Sequence, residues 1–280
     1  MRWLLFRMVE VMLLSVYGES WSTNHVLAIS ALIAGLWALH PIQSEAVTYI
    51  TQRTELIMTL FYLLTIYCSI RASQSGDHWQ WVLAAAVSAS LGMGCKESMA
   101  TVPIIVVVLL KLHDGGSFRS IISKNRRLMC AVLSELILVG LMARGGRSET
   151  AGLATGIGSV DYLFIQCRVV LGYFRLCVWP HPLVFDYGPA REISMQAALP
   201  FVVAMILILS IVAVLIAKRP KFGWLLALSL LVLAPTSSVV PISSEIGAER
   251  RMYLPLAFLL GPSFQRSVVA FQSMAVERCN

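Results

Sequence analysis

The chain has 280 residues, 58% of them hydrophobic and 13% charged, with a mean hydropathy of +0.76. That balance is far from that of a soluble globular domain and points to an integral membrane protein that crosses the bilayer several times. The net charge of +7, from 22 Lys plus Arg against 15 Asp plus Glu, would suggest nucleic acid in a soluble protein, but here the basic residues gather in loops between apolar runs.

Crossing roughly 30 Å of hydrocarbon takes about 20 mostly apolar residues. The runs 3–17 and 26–39 are shorter than that, and Arg7 and Glu10 interrupt the first, so residues 1–25 read as an incomplete span or an interfacial helix. No small-residue cleavage site follows, so this segment is expected to stay in the protein. The runs 55–71, 81–94 continuing into 101–112, 128–142, 199–217 and 224–240 approach a full span. The expected fold is therefore an all-α polytopic bundle over 26–262, with 263–280 as a tail. The six cysteines include no CxxC pair and read as buried thiols, not as a metal site or a disulfide framework. No histidine and acid cluster has metal spacing, so no metal is expected.

Two loops are basic, KLHDGGSFRSIISKNRR at 111–127 and KRPK at 218–221, and the positive-inside rule places them in the cytoplasm. Counting spans outward puts 40–54, 95–100, 143–159, 179–198 and 241–252 together on the opposite face, with 72–80 on the cytoplasmic side. Acids, bases and aromatics from four separated segments then share one face, where the ends of the helices could shape a cavity.

In HPIQSEAVTYITQR, Pro41 suits a first helical turn and Glu45 is favoured by the helix dipole, which predicts a short helix. Glu45, Tyr49 and either Gln52 or Arg53 would form a polar stripe, lining a site or only meeting water. In LGMGCKESMATVP, Gly92, Gly94 and Pro103 predict a break in the helix. Lys96 and Glu97 at that break are costly unless paired or wet; the bland alternative is a turn with an exposed ion pair. In CRVVLGYFRLCVWPHPLVFDYG, Arg168 and Arg175 share a face, as on a helix lying along the membrane or a span touching headgroups. The prolines then deliver Asp186 and Tyr187 in a loop, as ligand-binding or merely turn-forming residues. In SSVVPISSEIGAERRMYLPLAF, Arg250 and Arg251 lie on the face that should be poor in arginine. Their donor forks suit a lipid-linked phosphate; the alternative is a salt bridge from Glu249 to one of them that ties two loops together.

The stretches HPIQSEAVTYITQRTELIMTLFYLL, KESMATVP, QCRVVLGYFRLCVWPHPLVFDYG and GAERRMYLPL, in that order over about residues 26 to 260, resemble the membrane half of the transmembrane and tetratricopeptide-repeat-containing protein family and its bacterial relatives. The resemblance implies a GT-C glycosyltransferase that moves a sugar, mannose in the animal members, from a polyprenyl-phosphate donor to a protein hydroxyl. It implies no cofactor beyond that donor substrate, and as partners membrane lipid, the lipid-linked sugar and a protein acceptor, with no nucleic acid. The site would lie on the non-cytoplasmic face of a bacterial inner membrane or the endoplasmic reticulum. In this chain Glu45 or Asp186 is the best remaining catalytic carboxylate, neither being the one the family nominates as base, with Arg250, Arg251, Lys96 and Tyr253 expected around the donor phosphate and His40, Arg53, Glu97, Tyr187 and Glu249 lining the cavity. Arg250 stands where relatives often have histidine.

Family members begin with a further helix and an acidic loop carrying the presumed base, for which residues before 26 leave no room. They also continue into 34-residue repeats that 263–280 does not show. The expectation is a truncated, weakly active or inactive version. A non-catalytic membrane scaffold is the main alternative; a transporter is disfavoured by the lack of an internal repeat.

Overall fold

The computed structural model describes residues 1–17, 22–50, 53–144, 158–185, 187–188, 194–237 and 246–261, and these contain helices and no strand. The expected all-α membrane bundle is what the chain forms. In order come α1 (Arg2–Tyr17), α2 (Thr23–Leu39), a 3-10 turn (Pro41–Gln43) running into α3 (Ser44–Thr48), α4 (Arg53–Gln74) and α5 (Trp79–Cys95). A second 3-10 turn (Glu97–Thr101) leads into α6 (Val102–Asp114), then α7 (Phe118–Lys124), α8 (Arg126–Arg144), α9 (Ser159–Val178), α10 (Met195–Lys218) and α11 (Pro220–Leu233). A third 3-10 turn (Glu249–Met252) precedes a last helical stretch at 255–261.

Among the described residues, α4 with 22 residues and α10 with 24 are each long and apolar enough to cross a membrane. Two bent pairs also qualify if each is one broken span: α2 with 41–48, bent by 54°, and 97–114 with α7, bent by 100°. Local chemistry sets these breaks. Pro41 and Pro103 stand in the first turns they open, Ser22, Ser117 and Ser194 cap helices through their side chains, and Gly115 ends α6 with φ 74°.

The core is built around α4, whose Met58, Tyr62, Leu63 and Ile66 are buried against α5 and α6. The Tyr62 hydroxyl meets Thr101 Oγ1 at 2.8 Å, so one buried polar contact pins the broken α5–α6 passage to α4. α1 packs on α2 and α4 with Leu5 fully buried, and the two charges that interrupt it, Arg7 and Glu10, pair with each other one turn apart. α10 lies at the edge, with Leu199, Val203, Ile206 and Leu207 more than half exposed, as a lipid-facing helix should be. It doubles back onto α11 so closely that Gly223 abuts the backbone at Leu215 and Ile216.

The loops gather at two ends. At one, Asp77 accepts from the N–H groups of Arg127 and Leu128 at 2.9 and 3.2 Å, Asp114 accepts from Ser73 and Lys124 at 2.7 Å each, and Phe118 touches Trp224. At the other, the segments 40–50, 53–55, 96–101, 184–185, 187–188 and 246–253 meet. For the described residues this is the grouping that alternating spans predict; 145–157, 189–193 and 238–245 lie outside them.

Candidate functional site

The short helix expected after Pro41 is present, and the His40 ring organises its start. Ile42 N–H donates to His40 Nδ1 at 3.2 Å, which leaves the ring proton on Nε2 to donate to the Cys177 carbonyl at 3.0 Å. One imidazole thus starts the turn and ties it to the end of α9. The expected polar stripe is shorter than the sequence suggested. α3 stops at Thr48: Tyr49 still donates its N–H to the Glu45 carbonyl at 3.0 Å, but its ψ of 99° turns the following chain away, and its ring packs edge-on against Phe185, centroids 4.8 Å apart, with the Arg250 guanidinium 5.9 Å from its centroid. Arg53 is exposed at the start of α4, and Gln52 lies outside the described residues.

Glu45 is buried and both of its oxygens are engaged. Oε1 pairs with the Arg250 guanidinium and Oε2 accepts from the Arg250 main-chain N–H at 2.9 Å. A carboxylate held in that way works as a clamp between the 40–49 and 249–252 turns, and it is poorly placed to take a proton from a substrate. Arg251 is buried and donates to the carbonyls of Thr236 and Ile246 at 3.2 and 3.5 Å. Tyr253 is also built in: its ring lies edge-on to Trp37, and its carbonyl accepts from Trp37 Nε1 at 2.7 Å.

Glu249 is held by the adjoining loop. It accepts from the Val184 N–H at 2.6 Å and from the Tyr187 hydroxyl at 3.1 Å. Burial pushes its carboxyl above the ordinary range and the nearby Glu45 charge adds to that, while its two donors pull the other way. Tyr187 is pushed up too, first by burial and then by the Glu249 charge. Asp186 lies outside the described residues.

The predicted helix break is at Lys96, whose backbone is extended (φ −160°, ψ 141°) between α5 and the 97–101 turn. Its ammonium pairs with Glu55 from the first turn of α4, while Glu97, the neighbour expected to share the charge, is exposed. The Glu55 side chain is 4% exposed and that of Lys96 18%, so a buried carboxylate stands behind a cation that still reaches the surface. Glu55 is the residue that sequence reasoning passed over as a site member. The available signal was an acid one turn into an apolar span with no cation at helical spacing ahead of it.

The arrangement therefore has an inner layer of clamped charges, Glu45, Arg250, Arg251 and Glu249, and an outer layer of reachable ones, Arg53, Lys96 and Glu97. The first stiffens the junction of four segments; the second can meet a charged ligand. Among the described residues no group of histidine, cysteine and acid could hold a metal.

Residues 6–144 match the family model described as dolichyl-phosphate-mannose-protein mannosyltransferase. The chain is 28% identical over 197 residues to the Drosophila melanogaster protein O-mannosyl-transferase Tmtc2, an alignment covering 66% of this chain and 20% of that protein. It is 35% identical over 152 residues to human protein O-mannosyl-transferase TMTC4, covering 50% and 19%. It is 37% identical over 173 residues to the Xenopus laevis tmtc2 protein, covering 58% and 20%. The chain thus spans about a fifth of the length of the curated relatives it matches. No solved structure matches it. The family match over residues 6–144 and these relatives, together with the helical membrane bundle, support a TMTC-like relative of the GT-C glycosyltransferases.

Proposed function

We propose that this chain supplies the membrane part of a transferase that takes a mannose-type sugar from a polyprenyl-phosphate donor and passes it to a protein hydroxyl. The names of its relatives support the reaction class. The observation that carries the residue assignment is the Lys96–Glu55 pair, a cation presented at a helix break by a buried acid. Displacement at an anomeric carbon leaves a lipid phosphate, and a cation held where that charge develops lowers the barrier. Lys96 takes that role, with the exposed Arg53 as the second cation. Arg250 and Arg251, tied to Glu45 and to the Thr236 and Ile246 carbonyls, act as structural groups that stiffen the neighbouring turns. Asp186 and Glu97 are the carboxylates left to draw a proton from the acceptor hydroxyl. The basic end of the bundle faces the cytoplasm, which puts this site on the opposite face of the membrane.

The test is donor binding by the purified protein in nanodiscs, with a polyprenyl-phosphate mannose as probe. Lys96→Met should weaken binding by roughly tenfold or more, and Lys96→Arg should keep a substantial part, because a cation facing phosphate oxygens is what counts. Equal binding by wild type and Lys96→Met would remove the assignment. A wild-type chain that binds no donor would leave the scaffold reading in its place.

A further inference from the structure

The end of the bundle away from Lys96 carries two basic loops that are far apart in sequence, and the fold brings them together. Phe118, the first residue of α7, packs edge-on against Trp224 of α11 with ring centroids 5.8 Å apart. The Lys111 ammonium lies 3.8 Å from the Phe118 ring centroid. Because α7 turns 100° from the line of 97–114, it runs close to the plane of the membrane when α6 runs along the normal. α7 presents Ile122, 45% exposed, beside the exposed Arg119. Arg126, Arg127, Lys218 and Arg219 are exposed as well.

The acids at this end are turned inward. Asp77 spends both oxygens on the first N–H groups of α8, and Asp114 takes up Ser73, His113 and Lys124. None of the salt bridges among the described residues includes Arg119, Arg126, Arg127, Lys218 or Arg219. Five cations flank membrane-embedded helices without a salt-bridge partner among the described residues, around aromatic and aliphatic groups of the kind that settle at the boundary of hydrocarbon and water.

We propose that this face, with Arg119, Arg126, Arg127, Lys218 and Arg219 around the Phe118–Trp224 contact, is a binding site for anionic phospholipid headgroups. Guanidinium forks match phosphodiester oxygens in a bidentate way, and Lys218 adds a point charge. A headgroup bound across both loops ties the α6–α7 bend to the α10–α11 turn, and so couples the order of this end to the lipid around it.

The experiment is native mass spectrometry of the purified protein from nanodiscs containing phosphatidylglycerol and phosphatidylcholine, which reads the lipids retained. Both membrane faces are open in a nanodisc, so a change of insertion direction in a variant does not affect the result. Wild type should retain phosphatidylglycerol over phosphatidylcholine, and high salt should abolish the preference. Arg119→Gln/Arg126→Gln/Lys218→Gln/Arg219→Gln should lower it by roughly tenfold, and Arg119→Lys/Arg126→Lys/Arg219→Lys should give an intermediate preference, since the charge stays and the fork is lost. A wild-type protein without the preference, or with one that high salt leaves intact, overturns the proposal even if the glutamine variant fails to fold. A glutamine variant with the wild-type preference overturns it as well.

Discussion

Glu45 and Arg250 are 205 positions apart in the chain and form an ion pair whose side chains are 4% and 8% exposed. The second bond, from the Arg250 main-chain N–H to Glu45 Oε2, makes the pair a double tie between two short turns. Charges removed from water in this way gain stability from each other and lose it sharply when one is left alone.

Glu45→Ala should therefore destabilise the protein by about 3–5 kcal/mol, because it leaves a buried guanidinium without its anion. Glu45→Leu combined with Arg250→Met should recover most of that loss. Thermal unfolding in detergent measures both, and costs that simply add would show that the two residues are not coupled.

The Lys96–Glu55 pair should split by observable. Glu55→Gln leaves Lys96 without its buried partner and should weaken donor binding through loss of positioning, by roughly tenfold. It should change the salt dependence of binding little, since the cation remains. Lys96→Met should flatten that salt dependence. Wild-type affinity in Glu55→Gln would show that Glu55 does not position Lys96 for the phosphate.

Sidedness can be read by cysteine labelling in a background free of other cysteines. Glu97→Cys and Phe185→Cys should react with an impermeant reagent applied from the non-cytoplasmic side, whereas Lys124→Cys and Lys218→Cys should not. All four positions are exposed, so burial does not decide the outcome. Labelling of the lysine positions alone would reverse the orientation and move the site to the cytoplasmic face.

Gly223 tests the α10–α11 turn. A methyl group added there would stand 2.3 Å from the Ile216 nitrogen and 2.5 Å from the Leu215 carbonyl carbon, and backbone atoms cannot move aside as a side chain can. Gly223→Ala should cost about 1–3 kcal/mol, seen as a lowered unfolding midpoint. An unchanged midpoint would mean that α10 and α11 can separate freely.

Glu249 gives a pH signature. Its carboxyl is pushed above the ordinary 4.5, chiefly by burial, so between that value and its raised one the folded protein holds a proton that the unfolded chain has lost. Its contribution to stability should fall as pH rises through that window and level off above it. The stability of wild type minus that of Glu249→Gln, followed from pH 4 upward, isolates the effect. A difference that rises with pH would reverse the sign and show that its donors, Val184 N–H and Tyr187, outweigh burial.

The sequence by itself determined the helical membrane class, the short helix after Pro41, the break at Lys96 and the two basic loops, because each depends on neighbours within a few residues. Apolar run length, prolines and glycines carry that information locally. It also indicated which loops share an end, since alternating spans leave little choice. Only the tertiary structure decided the charge partners: Lys96 with Glu55 instead of Glu97, and Arg250 with Glu45 and not Glu249, whose acceptors went to Val184 and Tyr187. Glu97 is next to Lys96 in sequence yet points to the surface, while Glu55 arrives from α4, 41 positions away, at the depth where the ammonium needs an anion. The physical reason is that an ion pair in a nearly dry junction is selected by distance and burial, and both are set by how α4 packs on α5 and how the 249–252 turn packs on the 41–43 turn and α3.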